Sequence, residues 1–388
     1  MQKILKNERG SVALFVLLSA LFFLVVVTGV AVSFKNKEAQ IDSQFEKIKL
    51  SYEKDANQVY NEAVKDNSEL EEQPDGTFKD SKGNEWVWIE VPNDGSGPIY
   101  PANATDKQIE TALRTYCSDV VRTGTSSNSD TETTKGYTDT WYDGCGLTEN
   151  EYNTNKRAML NSIKDNGGFY IGKYETGIDD SSIAVNATTT TGLRTSSGDT
   201  TQIAVIKQNK QPYTYVTCSQ AENLAEGFAI DGKTASLLFG IQWDLVLKYL
   251  NVKGVATNLL IANSTTWGNY YNNSYNITNI DAWNSTDYGA NWTKGAFNKI
   301  SNEYTFLTTG AHIDFSKQHI FDLAGNVWEW TLEQSFDSNE PCAYRGGNCG
   351  GKGDVGPASC RNDTGTSNLY NNLGFRVALY WYLWIWNI

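Results

Sequence analysis

The chain is short of what a nucleic-acid, zinc or phosphate site requires. Its 32 Lys and Arg face 45 Asp and Glu, a formal net charge of −13. A nucleic-acid partner needs a basic stripe, so no nucleic-acid partner is expected. The acidic balance reads as a solubility feature. Only two histidines occur, His312 and His319, neither beside a cysteine pair. The six cysteines show no C-x-x-C spacing, so a zinc site is not expected. No Ser-His-Asp order and no P-loop is present.

What is present is length and aromatic bulk. The 388 residues include 12 Trp, enough for a sizeable core without disulfides. Cys117 with Cys145 is nevertheless a candidate disulfide if that region lies outside the cell. Residues 11–34 carry no charge and are almost wholly apolar, long enough to span a bilayer. Lys3, Lys6 and Arg9 precede this run and favour an inside N-terminus. Residues 1–34 are thus expected to form a cytoplasmic N-terminus and transmembrane helix. The rest would be a single-pass protein's extracytoplasmic part.

Residues 35–72 are expected to form a helical stem. Ile41, Phe45, Ile48, Tyr52, Ala56, Val59 and Ala63 step by four and three, an apolar stripe on one helical face. This suits a solvated stalk with weak self-association, or more sharply a coiled coil or filament contact. Residues 73–84, with Pro74, Gly76 and Gly83, read as a linker. The head would run over 85–388. EWVWIEVP at 85–92 alternates as an opening strand. Residues 93–146 read as a surface insertion of loops around one helix, 106–121. Residues 149–166 read as a helix and GGFYIGKYETG at 167–177 as a strand. Two core helices are expected at 219–229, with Ser219 a candidate N-cap, and at 241–250. Residues 251–309 read as long loops with short strands, where Trp and Tyr could stack on carbohydrate or simply pack locally.

The chain is organised around 321–380. FDLAGNVWEWT at 321–331 and NNLGFRVALY at 371–380 are apolar clamps; between them lie YRGGN at 344–348, PASCR at 357–361 and a polar loop. AGNVWEW, RGG and GFR in this order resemble the formylglycine-generating enzyme (sulfatase-modifying factor) family, whose fold is a variant of the C-type lectin fold. KYETG stands where that family has a "YEVTN"-like segment. RGGN, GPAS-x-R and NN-LGFRVAL are similar still more closely to the variable proteins of diversity-generating retroelements, which display a hypervariable surface on this fold. The start, RG followed by SVALF, resembles type IV pilin-like proteins, although Phe15 stands where those carry Glu. The resemblance implies an α+β, C-type-lectin-like head with short strands and two core helices.

It also implies candidate sites. The family binds calcium around the GNVWEW turn, which carries over to Asp322 and Glu329 side chains and the Gly325 and Val327 carbonyls. Alternatively Glu329 pairs with Arg345 or Arg376. The enzymes of the family hold copper on two cysteines after RGG. Here Cys349 follows RGG too closely and Cys360 lies well beyond it, so neither copper nor catalysis is expected.

Replacing the adenines of an AAC or AAT codon gives Asn, Asp, Gly, Cys, Tyr, Val, Leu, Ser and Thr. These are largely the residues of the loop, within a variable region of about 344–380, while Gly356, Pro357, Ala358, Ser359 and Arg361 read as framework and Lys352 lies outside that codon set. The expected ligand-binding positions are Asn348, Cys349, Gly350, Gly351, Gly353, Asp354, Val355, Cys360, Asn362, Asp363, Leu369, Tyr370 and Asn371. The expectation is a membrane-anchored surface protein binding a protein or glycan. An oxidase of the family and a pilin-like subunit are the alternatives.

Overall fold

The computed structural model of the chain describes residues 70–121, 136–181, 183–184, 186–194, 198–230 and 232–382. The expected membrane helix, the apolar stripe of the stem and the pilin-like start lie outside the described residues. Among the described residues no helix is long and apolar enough to cross a membrane.

The strands that position the site are β1 (Glu71–Glu72), β2 (Phe78–Lys79), β3 (Glu85–Glu90), β4 (Tyr137–Thr138), β5 (Gly168–Gly172), β6 (Lys233–Leu237), β7 (Trp283–Ser285), β8 (Asn291–Lys294), β9 (Trp328–Ser335), β10 (Cys342–Arg345), β11 (Arg361–Thr364), β12 (Leu373–Phe375) and β13 (Val377–Trp381). The principal helices are α1 (Asp106–Tyr116), α2 (Glu149–Asn166), α3 (Cys218–Glu226) and α4 (Gly240–Val252). The domain is a strand-rich α+β structure with few helices. One sheet runs β1-β2-β3-β5-β13-β6, antiparallel throughout. A second runs β11-β10-β9-β12, with β4 also on β9. Its β9–β12 pair is parallel.

Local chemistry explains the helices. Thr105, Thr148 and Thr217 each cap a helix start, with Gln108, Glu151 and Gln220 three residues on closing capping boxes. The α3 cap is therefore Thr217 and not Ser219. α2 ends on Gly167 at φ 78, a left-handed position that suits glycine. The N-cap of α4 is Phe239, which has no side-chain oxygen to offer. Asp139 supplies the cap from far away, accepting from the Gly240 and Ile241 amides at 2.7 and 3.0 Å.

β13 reads VALYW and is buried along its first four residues, as an inner strand between β5 and β6 should be. Trp86, Phe169, Trp243, Trp330 and Tyr380 are fully buried in one continuous core. The predicted short strands of 251–309 are present, among them β7 and β8.

Several expectations fail for identifiable reasons. The 73–84 segment is no free linker: β2 pairs with β3, because Asp80 accepts from Asn84 N and Asn84 Nδ2 and draws the turn closed. The 93–146 segment is no surface elaboration, since Ile109, Leu113, Tyr142 and Cys145 enter the main core. Cys117 and Cys145 are both free thiols. The Cys145 thiol instead donates to the Leu147 carbonyl.

Candidate functional site

The site is built on β9, β10 and β11. β9 sits at the centre, antiparallel to β10 and parallel to β12. β10 and β11 are antiparallel, and Arg345 stands directly across from Arg361. These two arginines are the last residue before, and the first residue after, the loop 346–360. Both reach into the core and share two carboxylates. Arg345 donates to Glu333 and Asp244 at 3.0 and 2.8 Å. Arg361 donates to the same Glu333 and Asp244 at 2.9 and 2.7 Å. All four side chains are nearly or wholly buried. Burial pushes the Asp244 carboxyl up, but the guanidiniums of Arg361 and Arg345 outweigh it and hold it below the usual range.

Between those ends the loop backbone is tied down repeatedly. Cys349 N donates to Asn326 O, Gly353 N to Asn272 Oδ1, and Ala358 N to Ser264 Oγ. Gly351 O accepts from Tyr271 N, and Ala358 O from Trp243 Nε1. A Cβ on Gly347 would meet Gly356 O at 2.3 Å, so the two limbs cross where only glycine fits. The shelf beneath, residues 270–273, has its own pin. The buried Lys299 ammonium donates to the carbonyls of Tyr270, Tyr271 and Asn273 at 3.0, 3.2 and 2.6 Å.

The expected ligand-binding positions divide into two groups. Gly350, Asp354, Val355 and Tyr370 are exposed; Gly351, Cys360, Asn362, Leu369 and Asn371 are half-buried. Tyr370, at 43% exposure, and Val355, at 36%, are the bulkiest outward groups among them. Trp328 is half-buried nearby, its ring 5.1 Å from that of Tyr344 in edge contact. Asn348, Cys349, Gly353 and Asp363 are buried and belong to the frame. Cys349 packs with Trp283, Trp292, Phe306 and Val327, and burial pushes its thiol up to about 12. Asp363 turns inward and accepts from Ser335 Oγ. The polar composition of the loop concealed this, because each of these groups finds a partner inside.

The expected calcium ligands lie in a second buried network. Arg376 occupies both oxygens of Glu329, at 2.7 and 3.0 Å, and also donates to Gly172 O and Phe321 O. Asp322 accepts from Gly310 N at 2.6 Å. Glu175 accepts from Val327 N and Asn326 Nδ2. Glu329 alone is paired with the Arg376 guanidinium, while Asp322 and Glu175 lie near enough to feel its charge. Burial raises all three, and Asp322 reaches about 7. The Arg376 guanidinium takes one lone-pair site on each Glu329 oxygen, so the edge of the carboxylate that faces it is occupied. Of the two arginines the sequence offered Glu329, the partner is Arg376 and not Arg345. Among the described residues no group of three or more His, Cys, Asp or Glu could hold a metal.

Sequence reasoning missed Asp139, Glu175, Asp244, Lys299 and Glu333. Asp244 and Glu333 did carry a signal, a single charge inside the apolar runs IQWDLVL and WTLEQS.

Comparisons with known proteins place the chain in a family. No curated protein matches the chain. Among solved structures, Treponema denticola variable protein 1 is similar at 13% identity, over 76% of this chain and 84% of that chain. Its TM-score of 0.23 is too low for the likeness to carry a conclusion. The profile of the sulfatase-modifying factor enzyme 1-like domain matches residues 144–380, more than half of the chain and all of the loop with its clamps. On that match the chain belongs to the family of sulfatase-modifying factor enzyme 1-like domains.

Proposed function

We propose that this chain is a ligand-binding protein of the diversity-generating retroelement variable type, built on a C-type-lectin-like form of its family's fold. The ligand, a protein or a glycan, meets the outer side of the loop and of residues 362–371. The observation that carries this reading is the separation of frame from face. Arg345 and Arg361 fix both ends of the loop on shared buried carboxylates, while Gly350, Asp354, Val355 and Tyr370 point outward. A backbone fixed independently of its outward side chains tolerates exchange of those side chains. The exposed positions are also ones whose residues an adenine-substituted Asn codon can yield.

Binding is favoured over oxidation. Copper chemistry needs two accessible thiolates, and the Cys349 thiol is buried with its ionisation suppressed. Anchoring by residues 11–34, with the head outside the membrane and the stem self-associating weakly, completes the proposal.

The test exchanges Gly350, Asp354, Val355, Asn362 and Tyr370 together for alternatives from the same codon set. Binding to whole cells and to glycan and protein arrays is read beside thermal stability. A changed ligand profile with an unchanged melting temperature supports the proposal. Binding that survives the exchange intact overturns it. A template repeat with adenines at these codons, beside a reverse transcriptase gene, would be the genomic counterpart.

A further inference from the structure

A cleft of about 210 Å³ lies outside the loop and its clamps. No residue of 344–380 lines it. Its walls come from the segment after β5, from residues 209–211 and from β7 and β8. Ile178, Leu193 and Trp283 make an apolar side; Lys210, Gln211 and Lys294 make a polar one.

Gln211 is the informative residue. Its side chain is more than nine-tenths buried. Leu193 N donates to its Oε1 at 2.9 Å, which fixes which end of the amide is oxygen. The opposite end, Nε2, is buried with no hydrogen-bond partner among the described residues. A buried donor without an acceptor is costly and rare in folded proteins. Here it lies in the wall of a cleft. The flanking ammoniums are engaged only at the rim, Lys210 with Asp179 at 2.6 Å and Lys294 with Asp281 at 2.9 Å. Such half-exposed pairs are weak and exchange readily with a competing group.

We propose that this cleft is a second binding site, and that it takes a single neutral sugar ring, free or at the end of a glycan. The size fits one ring, since sites for drug-sized molecules run to about 300–1,000 Å³. The chemistry fits hydroxyl groups, which both donate and accept. The Gln211 amide and the lysines offer donors, and the Asp180 carboxylate at the same cleft offers an acceptor. The apolar side suits the C–H face of a ring. A strongly anionic ligand is disfavoured, because Asp179 and Asp281 already balance the two lysines.

The experiment is saturation-transfer NMR and calorimetry on the full chain in detergent. The probes are glucose, galactose, mannose and N-acetylglucosamine, each free and as its methyl glycoside, with glucuronate as the charged comparison. At least one neutral sugar is expected to bind in the millimolar range and better than glucuronate. A methyl glycoside that binds as well as the free sugar assigns the site to glycan ends; loss on methylation assigns it to free sugar. Gln211→Met removes the amide donor, and Lys294→Ala, at a half-buried position, removes a rim donor. Each is expected to weaken binding by about tenfold. The exchange of loop residues described above is expected to leave it unchanged, which keeps the two sites distinguishable. No binding by any neutral sugar, preference for glucuronate, or affinity unaffected by Lys294→Ala overturns the proposal.

Discussion

Arg345 and Arg361 face each other as a cross-strand pair on β10 and β11, and both guanidiniums lie on Glu333 and Asp244. Like charges directly opposite on a sheet repel. The two carboxylates convert that repulsion into a closed, neutral quartet at the mouth of the loop. Three strands and α4 meet in it, since Asp244 comes from α4 and Glu333 from β9.

Removing one member leaves a buried charge without its partner. Arg361→Met is expected to lower unfolding free energy by about 3–5 kcal/mol. Arg361→Lys is expected to recover little, because one ammonium cannot replace a planar fork that serves two carboxylates. Urea denaturation of both variants checks this, and a loss under about 1 kcal/mol for Arg361→Met would show the quartet to be dispensable.

Gly347 and Tyr370 should behave oppositely. Gly347 has φ 82, and a Cβ there would strike Gly356 O. Gly347→Ala is expected to cost at least about 2 kcal/mol. Tyr370→Ser, at an exposed position, should stay within about 0.5 kcal/mol while altering binding, as loss of an exposed aromatic anchor does. Thermal melts and a binding assay on the same two proteins separate these outcomes.

The carboxylates around Arg376 give stability a pH dependence with a definite sign. Asp322 ionises near 3.8 when unfolded and about 7 when folded, so the folded state holds its proton more tightly. Its contribution is complete below about pH 4, declines as pH rises and is lost through about pH 7. Asp322→Asn keeps an oxygen for Gly310 N and tolerates the left-handed backbone at φ 58. The variant should equal the parent at about pH 4 and exceed it by about 1–3 kcal/mol at about pH 8. Parallel pH profiles for the two proteins would assign the raised ionisation to Glu175 or Glu329 instead.

With Arg376 on both oxygens of Glu329, chelation should not matter. Addition of a calcium chelator is expected to leave the melting temperature where it was. A fall that disappears in Glu329→Gln would place calcium at the turn after all.

Incubation with copper(I) and a cysteine-bearing peptide is expected to leave the peptide thiol unchanged. Stoichiometric aldehyde would overturn the binding-protein reading.

The fold was legible where local chemistry decides it. The α2 helix, the clamps and the first part of the strand expected over 167–177, which ends at Gly172, follow from periodicity and turn residues, and the framework runs RGG and PAS do sit at the loop's ends. The pairing of Glu329 with Arg376 was one of two alternatives the sequence left open. What could not be read was long-range. Nothing near Asp139 in the chain says that it caps a helix beginning at residue 240. Nothing in the polar stretch 348–363 says that Cys349 and Asp363 turn inward, because Asn326 and Tyr304, the partners of Cys349, and Ser335, the partner of Asp363, lie far away in sequence.

The reach of Asp139 has a consequence for where this domain can be cut. The family match starts at residue 144, after Asp139 and after β1, β2 and β3. A protein trimmed to the match would leave the Gly240 and Ile241 amides bare and turn β5, with Phe169 and Ile171, into a naked sheet edge. The family segment alone is therefore expected not to fold, and a piece meant to stand alone should begin near residue 70, where β1 starts.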